Sequence, residues 1–368
     1  MEKSPGYEKP VLGVLGVQDD AGLWDVAMKA EEQGKHTESL FTVLKYMNPK
    51  LMNDILKKNN EHFCIPHGSM IIEMTVKDGF YEIKAPFLRV PEKRTVVLLR
   101  QIAEINFSTL VLSQIRLENN ELYFYYKAPI ELSFPYKVWD VLFEICNNAD
   151  YYDDQFITQL GAERVQDMQV RRYSIAELDA LWKKYHAILD ETKSYYDYYQ
   201  SKRWTNTAID CIFIGLMKLD YCLQPQGMLR SDIERILVYN QNISADENLL
   251  ALAKGFDYMK NVSRALFDES MYVTTFLIPP KRRADLSNIK EILGKDVEQA
   301  QKDVAAKNYL GAASFLLYDI YNLLYRYMIH AKYEIQLNNA LEKSSGKSWE
   351  DTAEILLKTV IKLMDARD

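Results

Sequence analysis

His62, Cys64 and His67 place three soft-metal ligands within a six-residue stretch. A structural zinc site takes four ligands in a tetrahedron, and no second Cys/His cluster stands elsewhere to complete one. Three ligands and a water would make a catalytic site. The segment runs into a strand, however, where successive side chains leave opposite faces. His62 and Cys64 then share a face, and His67 takes the other unless Pro66 kinks the chain. The expectation is no metal, and a solvated turn with a buried thiol.

Nucleophiles are no better placed. Cys64, Cys146, Cys211 and Cys222 lie in apolar or helical contexts, where a thiol stays protonated and inert. No pair has CxxC spacing, and no GxSxG elbow is present. The alternative to plain burial is a Cys–His dyad assembled from distant residues. Ser345-Gly346-Lys347-Ser348 ends like a phosphate-binding loop. That motif needs a glycine at 341 after a strand, and Leu341 stands there at the end of a helix. The segment reads as a helix stop with a new N-cap at Ser348. Asp150, Asp153 and Asp154 could hold magnesium or do acid–base work. They follow a helix and flank Tyr151-Tyr152, so a solvated helix–helix junction is the reading. No catalytic residue and no cofactor are expected.

The remaining constellations are surfaces. Residues 195–204, YYDYYQSKRW, interleave tyrosines with cations in a way that could stack unpaired bases. Tyrosine is equally favoured at protein interfaces, and packing between helices is the plainest account. Lys281-Arg282-Arg283 is a basic loop behind two prolines. With a net charge of −7 the chain lacks the broad basic field that nucleic acid requires, so no nucleic-acid partner is expected.

These residues must be held by a sizeable chain. At 368 residues it has room for two or three domains. With 48% hydrophobic and 26% charged residues it can fill a core and is not disordered. The apolar stretch 208–219 contains Asp210 and Lys218 and is too short to span a bilayer. The opening MEKSPGYEKP lacks an export signal, and the cysteines read as reduced. A cytoplasmic location away from membranes is the expectation.

Residues 1–20 read as an N-terminal arm, broken by Pro5, Pro10 and Asp19-Asp20, with 12–17 as a short docked strand. Helices are expected over 22–34, 37–46 and from Pro49, where Asn48 is an N-cap with Pro at N1. Two hairpins follow, 70–76 with 80–88 about Lys77-Asp78-Gly79, and 110–117 with 121–127 about Asn119-Asn120. Between them 95–106 is helical, and after them 136–147. From 171 onward the pattern is helical. Capping boxes mark Ser174/Glu177 and Ser244/Glu247, and a helix spans 204–223. Long helices are expected over 287–305 and 309–342, with a final one to about 364. Residues 272–278 read as a short extended piece.

Helix, hairpin, helix, hairpin, helix is similar to the order in type III secretion chaperone-like domains, including the bacterial YbjN family. Leu99 to Phe107, with Asn106 before the next strand, resembles that family's helix end. Leu122-Tyr123-Phe124-Tyr125-Tyr126 with Pro129 looks like its aromatic strand, and Asn148-Ala149-Asp150 its helix exit. The resemblance covers about residues 36–165, and the helical remainder departs from it. The resemblance implies an α+β fold, an antiparallel sheet of two hairpins with flanking helices, while the helical pattern from 171 onward reads as an all-α bundle domain or a helical-repeat stack. The expected domains are 1–20, 21–170 and 171–368. It also implies a non-catalytic, chaperone- or adaptor-like protein that binds a protein partner or itself, as a homodimer. The candidate partner-binding residues are Tyr123, Phe124, Tyr125, Ile71 and Phe80, with residues 95–107 for self-association. The alternative is a small-ligand binder or enzyme with its site at the domain junction, lined by tyrosines, Lys183, Lys184, His186 and Arg203.

Overall fold

A computed structural model describes residues 3–13, 21–279 and 281–367. Val14 to Val17 of the expected docked strand, and Pro280 before the basic loop, lie outside the described residues. The chain forms two compact units.

The α+β unit takes residues 21–172 together with 272–279. Its helices are α1 (Ala21–Glu32), α2 (His36–Met47), α3 (Pro49–Lys58), α4 (Thr95–Ser108) and α5 (Pro135–Leu160). Its strands are β1 (His62–His67), β2 (Met70–Lys77), β3 (Phe80–Arg89), β4 (Gln114–Glu118) and β5 (Glu121–Pro129), with the short β6 (Glu163–Arg164), β7 (Arg171–Arg172) and β8 (Tyr272–Val273). The sheet order is β1-β2-β3-β5-β4, antiparallel throughout, and β6 adds to β3. Both expected hairpins are present, and β1 extends the first into a three-strand meander. Asp78-Gly79 and Asn119-Asn120 all have positive φ, the geometry that two-residue hairpin turns require.

The core lies on one sheet face. Ile65, Ile72, Met74, Tyr81, Ile83 and Phe124 point into it against Leu44 and Met47 of α2 and Val138, Leu142 and Ile145 of α5. Each such side chain contributes about 1.5–3 kcal/mol relative to exposure. The loop 111–113 is tied down by Glu144, whose carboxylate accepts the N–H groups of Val111, Leu112 and Ser113 and the Ser113 hydroxyl. Helix α5 does not stop near Asn147 as expected. It runs on to Leu160, because Ala149, Asp153 and Phe156 continue its buried stripe.

The extended piece at 272–278 leaves the helical half of the sequence and completes this unit. β8 pairs with β7. Beyond it Thr275 C=O accepts from Gly68 N–H, Phe276 C=O accepts from Asn48 Nδ2, and Leu277 and Ile278 enter the sheet core.

The other unit, residues 3–13, 173–271 and 281–367 among those described, is helical. It holds α6 (Ile175–Ser201), α7 (Thr205–Leu223), α8 (Gly227–Ile236), α9 (Ala245–Lys260), α10 (Arg264–Ser270), α11 (Leu286–Gly294), α12 (Val297–Ala305), α13 (Tyr309–Arg326), α14 (Ala331–Ser344) and α15 (Trp349–Met364). Both capping boxes form. Every residue from 212 to 223 is buried, so α7 is the central helix, packed on α6, α9 and α13. The two long helices expected over 287–305 and 309–342 are each broken. The first parts between α11 and α12. The second is interrupted by β10 (Tyr327–Ile329), which pairs in parallel with β9 (Arg282–Ala284). Tertiary pairing of a Tyr-Met-Ile segment overrides local helical preference there.

Candidate functional site

Four of the five residues expected to bind a partner share the open face of the sheet. Ile71, Tyr123 and Tyr125 are half-buried and Phe80 is 43% exposed. Phe124 points the other way and is fully buried, in edge contact with Phe87. Successive residues of a strand cannot share a face, so Phe124 is a core residue and not a contact. The rings that remain are covered by cations of the same sheet. Lys84 Nζ sits 4.4 Å from the Tyr123 ring, Arg116 stacks 3.8 Å from Tyr125, and Lys127 lies 5.4 Å from Phe80. Their electron-rich faces are therefore engaged within the sheet. On α4, Val96 and Phe107 are exposed, Phe107 by 93%. Asn106, beside it, uses its amide as a strand would: Nδ2 donates to Ile115 C=O, and Oδ1 accepts from Ile115 N–H. It blunts the β4 edge.

The histidine cluster separates as the strand geometry requires. His62 and Cys64 lie exposed on the open face, and His67 is buried on the other. Cys64 was expected to be buried and is not, because it follows the parity of His62. Among the described residues no group of three His, Cys, Asp or Glu could hold a metal. His67 instead meets Cys146 and Asp150 of α5, a dyad from distant residues with a carboxylate behind it. Leu277 N–H lies 3.2 Å from Nδ1, and Nε2 faces Asp150 at 3.5 Å. Cys146 is 1% exposed and burial pushes its thiol up. A protonated thiol that no substrate can reach is not a nucleophile, and the trio is a structural clasp. The neighbouring carboxylates are not all solvated. Asp153 is buried, accepts from Ser69 Oγ at 2.5 Å and pairs with Arg164 at 3.1 Å. Burial and Asp154 push its carboxyl up to about 7 against the pull of Arg164 and Ser69. Gly68, at φ +56°, has no room for a side chain, because a Cβ would stand 2.6 Å from Asp150 Oδ1.

The helical unit contains the arrangement with the most convergent polar groups, and the arm lies in it. Residues 3–11 run extended across α6, α7 and the α14–α15 turn, and their main chain is met group by group. Tyr195 OH donates to Lys3 C=O at 2.8 Å. Ser4 N–H donates to Lys347 C=O, and its hydroxyl to Ser344 C=O. Gly6 N–H donates to Glu191 at 2.6 Å, and Gly6 C=O accepts from Lys218 Nζ at 2.6 Å. Tyr7 N–H donates to Ser345 Oγ. Glu8 C=O accepts from the Cys222 thiol, Lys9 C=O from Lys184, and Val11 N–H donates to Cys222 C=O. Burial pushes the Cys222 thiol up to about 12, which keeps it a donor. Lys218 is 3% exposed and also pairs with Glu191 at 2.7 Å. A buried ammonium must be paired and bonded, and the arm supplies one of its acceptors.

The segment that resembles a phosphate loop thus serves as a seat for the arm, with Ser348 as N-cap of α15. Of the aromatic run, Tyr195 and Tyr199 are buried, while Tyr196 and Tyr198 face outward beside Lys193 and Lys202. The basic loop is not a free patch. Lys281 is buried against Asp220 at 3.5 Å and Leu324 C=O, and burial lowers its pKa. Arg282 and Arg283 belong to β9.

Glu191, Lys218 and the serines at 344 and 345 are not among the residues that the sequence singles out as a site. The signal was Lys218 and Asp210 inside an otherwise apolar helix, which reads first as an argument against a membrane span. No helix among the described residues is long and apolar enough to cross a membrane. No protein-family model matches the sequence, and no curated protein matches it.

Proposed function

We propose that this chain is a non-catalytic polypeptide-binding protein of adaptor or chaperone-like type, and that its helical unit holds an extended segment along the groove where the arm lies. The carrying observation is the clamp on Gly6: Glu191 takes its N–H, Lys218 takes its C=O, and the two side chains pair with each other. Main-chain hydrogen bonds can give an extended peptide its affinity, and the side chains that must fit give selectivity. The arm fits by being small where it passes the helices, as Ser4-Pro5-Gly6. The resemblance of residues 36–165 to secretion chaperone-like domains supports the same class of function.

A labelled peptide of residues 1–13 titrated into a variant lacking residues 1–13 tests the proposal. It is expected to bind saturably in the micromolar range, about −8 kcal/mol, and at least tenfold more weakly to the full chain, whose groove is filled. A truncated chain that keeps its helical circular dichroism and cooperative melting but shows no saturable binding overturns it.

A further inference from the structure

Beside the arm, α6, α7, α13 and the start of α15 enclose a cleft with about 450 Å³ of empty space, counted out to solvent. Tyr195, Tyr199 and Trp349 form aromatic walls, with Tyr195 standing 6.3 Å from Tyr199 and 6.2 Å, edge-on, from Trp349. The charged groups of the lining are Glu191, Lys218 and Asp210. Lys218 and Glu191 neutralise each other and are engaged by Gly6. Asp210 is left as a carboxylate with no hydrogen-bond donor or cation paired to it among the described residues.

The field around Asp210 is negative. Burial and Asp296 push its carboxyl up to about 6. Asp319 on α13, 6% exposed and with Oδ2 unpartnered, is pushed up to about 7 by burial, Asp296 and Asp210 against the pull of Lys295. Such a site disfavours anions. Among the described residues no group of three His, Cys, Asp or Glu could hold a metal ion. An organic cation suits it, because aromatic faces attract an ammonium that is too weakly coordinating to need a ligand shell.

We propose that this cleft binds a small organic amine as its ammonium, with Asp210 as counter-ion and Tyr195, Tyr199 and Trp349 as walls. The site goes beyond the polypeptide-binding reading and is complete with the arm in place, since Pro5 forms part of its lining.

The test is calorimetric titration of the full chain at pH 8 with n-butylamine, with n-butanol as the neutral probe of equal length, and with an acetylated lysine methylamide. Butylamine is expected to bind at about 1 mM or tighter, the range open to five heavy atoms. Butanol is expected at least tenfold weaker, and Asp210→Asn is expected to weaken butylamine at least tenfold. Tighter binding of butylamine than of the lysine derivative marks a free amine as the ligand; the reverse marks a lysine side chain with the same chemistry. Equal binding of amine and alcohol, no binding of either ammonium probe, or unchanged amine affinity in a folded Asp210→Asn chain overturns the proposal. The amine–alcohol comparison decides even if that variant fails to fold. None of these outcomes bears on the peptide titration, which uses a chain without the arm.

Discussion

Two carboxylates show how one residue type serves opposite ends. Glu144 is satisfied by three N–H groups and a hydroxyl of one loop. Glu144→Ala strands those donors and is expected to cost about 2–4 kcal/mol, read as a lower urea midpoint with unchanged slope. Asp319 is buried with its Oδ2 unpartnered among the described residues. Burial, then Asp296, raise it to about 7 against the pull of Lys295, with Asp210 adding to the rise. Its folded state therefore holds a proton more tightly than its unfolded state does. The resulting stability is fully present below pH 4 and is lost as pH climbs towards 7. Asp319→Asn is expected to be more stable than the parent at pH 8 by on the order of 2–4 kcal/mol. The gap should close near pH 4, which thermal melts across that range would show. Asp153 pushes the same way in the other unit, so the difference between variant and parent is the quantity to read.

Among the elements, what local chemistry dictates was legible. Ser174, Ser244 and Asn48 each cap a helix as their spacing indicates, and both turn dipeptides take the left-handed geometry their residue types tolerate. Strand parity was also legible: it separates His67 from His62 and Cys64, and it would have separated Phe124 from Tyr123 and Tyr125 had it been applied there. What was not legible depends on partners remote in sequence. The break at Tyr327–Ile329 exists because Arg282–Ala284 lies beside it. α5 outruns Asn147 because the sheet core continues beneath it. The arm has no periodicity at all, and its docking rests on main-chain groups, which every sequence possesses. The excursion at 272–279 belongs with these. Leu277 fills the sheet core and its N–H lies beside His67, so Leu277→Ala is expected to destabilise the α+β unit by about 2–4 kcal/mol. Exchange protection of β1 and β2 amides would fall with it, whereas a merely peripheral residue would leave both unchanged.

At the scale of the whole molecule the two units are α+β and helical, and neither is drawn from one uninterrupted stretch of chain. The sheet unit borrows residues 272–279, and the helical unit borrows the arm. The chain passes from the sheet unit to the helical unit between Arg172 and Tyr173, and a fragment cut there lacks Leu277, Ile278 and the strand that pairs with β7. Such a fragment, residues 20–172, is expected to melt well below the same unit in the full chain, and adding a peptide of residues 271–280 should restore part of the difference.

The bridge between Lys3 and Ser348 joins residues made at very different moments of synthesis. Ser4 to Lys9 leave the ribosome long before the turn that will receive them exists. Until Ser344, Ser345 and Lys347 emerge, the part of the seat that meets Ser4 and Tyr7 is missing. Contacts so distant in sequence form late and slowly. A nascent protein built this way passes through a stage in which the seat of its arm is vacant.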